Sequence, residues 1–149
     1  MLHFEGNMPF SFEKFLKMTE GILSDRDRDV LKKIPEEYTE FEIGIKNELV
    51  KVRSERKHVD GTKYLRKDGY WDTRLKHIAM NAYKSPSIIE GEKILDMARW
   101  RAFDELAAGH YFDITFLTLY ARKILILEKW HKINSANKAQ ALEESLSGV

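Results

Sequence analysis

Apolar residues recur along this chain at intervals of three and four, without the sustained alternation of a strand, so every regular segment reads as helix. Ser11 opens the first, with Phe12, Phe15, Leu16 and Ile22 on its inner face, Glu13 near its positive end and Gly21 helping to end it. Ser24, with Asp27 three residues on, resembles a capping box for a short second helix whose apolar side is Val30, Leu31 and Ile34 and which Pro35 stops. Phe41, Ile45, Leu49 and Val52 step by four, four and three along a long third helix from about Glu36 to about Lys57. The Asp60-Gly61 and Lys67-Asp68-Gly69 turns make residues 61–69 a connector or a single helical turn.

A fourth helix, about Trp71 to Lys84, buries Leu75, Ile78, Ala79 and Ala82. Ser85-Pro86 restarts the chain, with Pro86 suited to the first position of a fifth helix that runs to about Ala108. That helix carries Ile88, Gly91, Leu95, Ala98, Ala102 and Leu106 on one side, and its small residues let a neighbour approach closely. Gly109 ends it. Asp113 caps a sixth helix that is apolar over most of its circumference through Leu117, Leu119, Leu125, Ile126, Leu127 and Trp130 to about Asn134. Ser135 begins a weaker terminal helix through Leu142 and Leu146. The expectation is an all-α fold: one helical domain over residues 1–149, a compact bundle of six to seven helices whose two long C-terminal members form the core, with 1–10 and 147–149 poorly ordered.

Composition narrows the chemistry more than the fold. At 149 residues and 43% hydrophobic, the chain can bury roughly two thirds of its unfolded surface and needs no covalent staple. It has no cysteine, which removes disulfides, thiolate metal sites and a cysteine nucleophile, and fits a reducing cytoplasm. Met1 to Phe10 lacks the basic start and apolar run of an export signal, and Ile114 to Leu127 is too short, and broken by Arg122 and Lys123, to span a bilayer. A soluble, cytoplasmic product is expected.

Charge is balanced overall, 25 basic against 24 acidic groups, so bulk attraction to polyanions is excluded. It is unevenly placed, however: residues 46–77 carry 10 basic and 5 acidic groups. Lys51, Arg53, Arg56, Lys57, Lys63, Arg66 and Lys67 supply most of the excess and are the candidate partner-binding residues, fitted to an acidic protein surface. Tyr64, Tyr70 and Trp71 lie nearby, so nucleic-acid binding by stacking and phosphate contact is the alternative reading of the 51–67 stretch. A solvated helix end explains the same residues without any partner.

Enzymatic motifs are sparse. Glu128 and His131 have the Glu-x-x-His spacing of carboxylate-bridged two-metal bundles, but such sites need a second inward pair and two further inward Glu. His110, in the corner Gly109 to Asp113, is half of an acid–base or metal arrangement that nothing completes. A helical metalloenzyme using Glu128, His131 and His110 is the second alternative; the preferred reading has no catalytic residue, cofactor or metal. Two charged residues sit oddly against apolar stripes. Glu128 falls between Leu117, Ala121 and Ile124, and Arg99 falls beside Phe103 and Leu106, so the two are expected to form a buried polar pair, with Asp96 and Glu92 as more local partners for Arg99.

Leu95 to Asp113, LDMARWRAFDELAAGHYFD, and Leu119 to Trp130, LYARKILILEKW, together resemble the C-terminal half of small bacterial helical proteins of unknown function encoded among V-type (A/V-type) ATPase subunits. The similarity extends more weakly through FEIGIKNELVKVRSERK (Phe41 to Lys57), YLRKDGYWD (Tyr64 to Asp72) and MPFSFEKFL (Met8 to Leu16). Members of that family begin with an additional aromatic, strand-like stretch that has no counterpart here, which leaves open whether Met1 is the natural start. The resemblance implies a counterpart of the ATPase's central-stalk collar subunit: a non-enzymatic structural or assembly part of a rotary ion pump. Its partners would be protein subunits of that ATPase, without insertion into the membrane, and self-association stays open.

Overall fold

Short polar side chains set where the helices begin. The computed structural model describes residues 10–67, 71–111 and 113–148. In it Ser11, Ser24, Asp72, Ser87 and Asp113 each accept a hydrogen bond from a backbone N–H of the first turn that follows, satisfying a donor the helix cannot pair internally. The elements are α1 (Phe12–Met18), α2 (Asp25–Lys32), α3 (Glu36–Lys57), a 3₁₀ turn (Thr62–Tyr64), α4 (Thr73–Lys84), α5 (Ile88–Ala107) and α6 (Ile114–Ser147). Among the described residues there is no strand; the fold is all-α. No helix in this set is long and apolar enough to cross a membrane.

Three expected boundaries move, each for a local reason. Trp71 lies outside α4, because Asp72 takes the Arg74 N–H at 2.9 Å and the Arg74 side chain at 2.7 Å and so becomes the cap. Pro86 precedes α5 instead of starting it: the Ser85 hydroxyl is held by the Ala82 and Ser87 carbonyls, and Ser87 is the cap. The break expected at Ser135 is absent, and α6 continues for 34 residues, about 51 Å at 1.5 Å per residue. Nothing between Asp113 and Ser147 is Gly or Pro, and a serine with no breaker before it is simply a helical residue. Of the termini expected to be poorly ordered, 1–9 and Val149 lie outside the described residues, whereas Ser147 is helical.

The chain divides into two compact units, residues 1–33 with 112–149, and residues 34–111. In the first, Phe15, Leu31, Ala121 and Ile124 form a buried cluster. The rings of Phe10 and Phe15 stack at 6.2 Å, and Phe15 lies 5.7 Å from Tyr120. The Arg122 guanidinium donates to the Leu31 carbonyl at 2.8 Å, capping the end of α2 from α6. The apolar side of α2 is narrower than its sequence suggests. Leu31 is fully buried, while Val30 and Ile34 are exposed, as is Ile22 beyond the end of α1.

The second unit is built on α3, α4 and α5. His58 adopts a left-handed conformation (φ 52°) and reverses the chain at the end of α3. The connector then runs back along α3, since Arg66 bonds to Asn47. Consequently α4 runs alongside α3 in the same direction, with Arg56 near the end of α3 lying 5.6 Å from the Tyr83 ring near the end of α4. α5 returns antiparallel to α4. The core is Ile45, Leu75, Ala82, Leu95 and Ala98, with Phe41, Leu49, Ile78 and Ile94 packed against it. Burial is therefore not concentrated in the two long C-terminal helices: α3 and α4 supply much of this core.

Gly91 is where α5 crosses closest to α4. A Cβ there would lie 2.7 Å from the Ala82 carbonyl oxygen and 2.8 Å from the Ser85 hydroxyl. Gly91→Ala should gain up to about 1 kcal/mol of helix propensity. It should lose more to displaced backbone, for a net destabilisation of about 1–2 kcal/mol in urea unfolding.

Candidate functional site

The seven basic residues of the 51–67 stretch are brought to one region, but not all of them are free to meet a partner. Lys51 is half-buried, and its ammonium is committed to Glu48, a carboxylate only 3% exposed on the core side of α3. Arg56 lies over the Tyr83 ring. Arg53, Lys57, Lys63, Arg66 and Lys67 are exposed. Arg53 and Lys57 stand on α3, whereas Lys63, Arg66 and Lys67 ride on a connector that is tied down at both ends. At its start Asp60 accepts hydrogen bonds from the Thr62 hydroxyl (2.7 Å) and N–H (2.9 Å), which hold its carboxyl below the usual aspartate value. At its end the Asn47 carboxamide pairs with both the N–H and the C=O of Arg66, each at 2.9 Å, as a neighbouring strand would. Between them Gly61 packs so closely on Ser54 that a Cβ could not be placed there without moving the serine. The connector is thus a strap fastened along α3, with its cations pointing outward.

Arg99 is paired within its own unit, and the expected Arg99–Glu128 pair would join residues of different units. Its Nε donates to Glu42 at 2.6 Å and its Nη1 to Asp96 at 2.6 Å and Glu92 at 3.0 Å, while the Glu128 carboxylate, half-buried, lies 3.9 Å from Lys132. Three carboxylates converge on one guanidinium inside the second unit, which leaves no need for a distant partner. Glu42 also accepts from the Tyr38 hydroxyl at 2.7 Å, and the Tyr38 ring packs 4.4 Å from that of Phe103.

Electrostatics favour the charged forms of Glu42 and Arg99. Burial alone would push the Glu42 carboxyl up, but the Arg99 charge and the hydrogen bonds from Tyr38 and Arg99 outweigh it and hold it below its ordinary 4.5. For Arg99, burial opposes the charged form and is overcome by Glu42 and Asp96, so its pKa is raised further. Burial, and then the Glu42 charge, raises the Tyr38 hydroxyl far above its ordinary 10.0. Arg99 thereby ties Glu42 of α3 to Asp96 and Glu92 of α5, and the network is a lock between the two helices. Sequence reasoning missed Glu42. The available signal was its position between Tyr38, Ile45 and Leu49 on the inner stripe of α3, at spacings of four, three and seven.

A groove of about 530 Å³ opens elsewhere in the second unit, floored by Phe41, Leu75, Ile78, Ala98, Ala102 and Leu106 and rimmed by charged side chains. At one edge Arg74 bridges Asp72 (2.7 Å) and Glu105 (3.2 Å). It was not legible before folding, because its walls come from three separate helices.

The residues weighed for metal chemistry do not assemble. His131 is exposed, the His110 N–H closes a turn on the Ala107 carbonyl, and among the described residues no group of three or more His, Asp or Glu is placed to hold a metal ion. Tyr64 and Trp71 are exposed beside the strap, and the Lys63 ammonium lies 4.9 Å from the Tyr64 ring centre; Tyr70 lies outside the described residues. Comparison with known proteins finds no matching family model, no similar curated protein and no similar solved structure.

Proposed function

We propose that this chain is a non-enzymatic structural or assembly subunit that docks through its strap onto an acidic protein surface. The sequence resemblance points to a V-type, ion-translocating rotary ATPase as the assembly, which implies a cytoplasmic protein peripheral to the membrane. One observation carries the docking part of the reading. Of the five exposed cations, Arg53 and Lys57 stand on α3 itself and Lys63, Arg66 and Lys67 on a connector fastened to α3 by Asn47 and by the Asp60 turn, so little ordering entropy remains to oppose binding. Charges so arranged fix orientation and speed encounter more than they add affinity.

Native purification of the detergent-solubilised ATPase, followed by amine crosslinking, tests the proposal. The expected result is this chain in the complex, crosslinked from Lys57, Lys63 or Lys67 to an acidic segment of one subunit. Reversing Arg53, Lys57 and Lys63 to glutamate should cut recovery by about tenfold or more, as loss of several complementary charges does. Purified ATPase with no trace of the chain would overturn the assignment. The exposed Tyr64 and Trp71 favour nucleic acid as the second reading. It predicts RNA retention on a filter that falls steeply with rising salt; no retention at low salt removes it.

A further inference from the structure

Two features of the structure have no role in strap docking, and each supplies what the other lacks. The first is the groove, whose free charges are divided between its walls. Glu37 and Glu40 on α3, and Arg101 on α5, are exposed and have no ion pair among the described residues, whereas Arg74 is taken up by Asp72 and Glu105. The opening thus offers carboxylates on one wall and a guanidinium on another, above an apolar floor.

The second feature is the far end of α6. Every residue from Ser135 to Ser147 is exposed, including Leu142 at 60% and Leu146 at 68%. A helical stretch this short gains little from its own propensity in water, so burial of one face would stabilise it. At 100° per residue Ser135, Ala139, Leu142 and Leu146 share one stripe, with Lys138 along one edge and Glu143 along the other. Two leucines one turn apart on a helix are the anchors an apolar groove accepts.

We propose that the end of α6 of one copy docks in the α3–α4–α5 groove of a second copy. Leu142 and Leu146 lie on the floor, Lys138 faces Glu37 and Glu40, and Glu143 faces Arg101. Only one direction of the helix satisfies both charge pairs, so the leucines supply the affinity and the charges the orientation. Each copy carries one groove and one helix end, and reciprocal exchange closes a dimer. The contact uses neither the strap nor the ATPase.

Sedimentation velocity on the full chain over a wide concentration range reads this directly. The parent protein should pass from the mass of one copy to that of two. Leu142→Glu with Leu146→Glu, and separately Glu37→Lys with Glu40→Lys, should each weaken association by about tenfold or more, as loss of central anchors does. All four residues are exposed, so circular dichroism should be unchanged. Adding Lys138→Glu to the Glu37→Lys, Glu40→Lys variant should restore most of the association. A parent protein that stays at the mass of one copy throughout overturns the proposal. So does association that survives the Glu37→Lys, Glu40→Lys change but not the leucine change, because the helix ends would then pair with each other.

Discussion

Arg99→Ala should lower the free energy of unfolding by about 3–5 kcal/mol, the cost of removing one partner from a buried ionic network. The cost comes from what is left behind. Asp96 is 1% exposed, and Glu42 is half-buried with the Tyr38 hydroxyl pointing at it, so both would keep charge in a poorly solvated place. Urea unfolding of Arg99→Ala and of Arg99→Met combined with Glu42→Gln and Asp96→Asn separates charge from packing. The neutralised combination should recover a large part of the loss, because apolar or neutral replacements of a whole buried pair are often nearly neutral. The pH dependence has a definite sign. The folded Glu42 carboxyl titrates below 4.5, so its contribution is present above that value and is lost as pH falls through the lower, folded pKa. Tyr38 acts at the other extreme: its hydroxyl is raised above 10.0, and the unfolded state gains as pH rises past that value. The parent protein should therefore lose stability on acidification below pH 4.5, and Glu42→Gln should flatten that limb.

Ile45→Ala is the second large effect, expected to cost about 2–5 kcal/mol by leaving a cavity among well-packed neighbours. Ile45 has no exposed surface and sits in one cluster with Leu75, Leu95 and Ala98, so three helices would have to shift to close the gap. Leu142→Ala is the matched control. That side chain is 60% exposed, and in dilute solution its truncation should change stability by less than about 0.5 kcal/mol. Equilibrium unfolding by urea, followed by circular dichroism, measures both.

Much of the helical framework was legible because helix starts are local chemistry. Ser11, Ser24 and Asp113 cap the helices expected of them, and the bounds of α3 agree with its apolar spacing. The boundary errors arose where two local signals compete. Pro86 suits a first helical position, but Ser87 beside it caps better, and Asp72 outcompetes Trp71 as the start of α4. The partner of Arg99 was not legible in full. Asp96 and Glu92 lie on its own helix and could be read, whereas Glu42 lies 57 positions away and is reached only once α3 and α5 pack. The basic stretch could be counted from sequence. Its folding back on α3 could not, since that depends on a single carboxamide, Asn47, finding the backbone of Arg66.

The exposure of the end of α6 has one further consequence. Before Ser135 the helix is held by what surrounds it, and after Ser135 mainly by its own amide ladder, so resistance to opening must decline along a single continuous rod. Exchange of amide hydrogens with solvent will be slowest around Ala121 to Ile126 and quickest toward Ser147, a gradient that no boundary between elements marks.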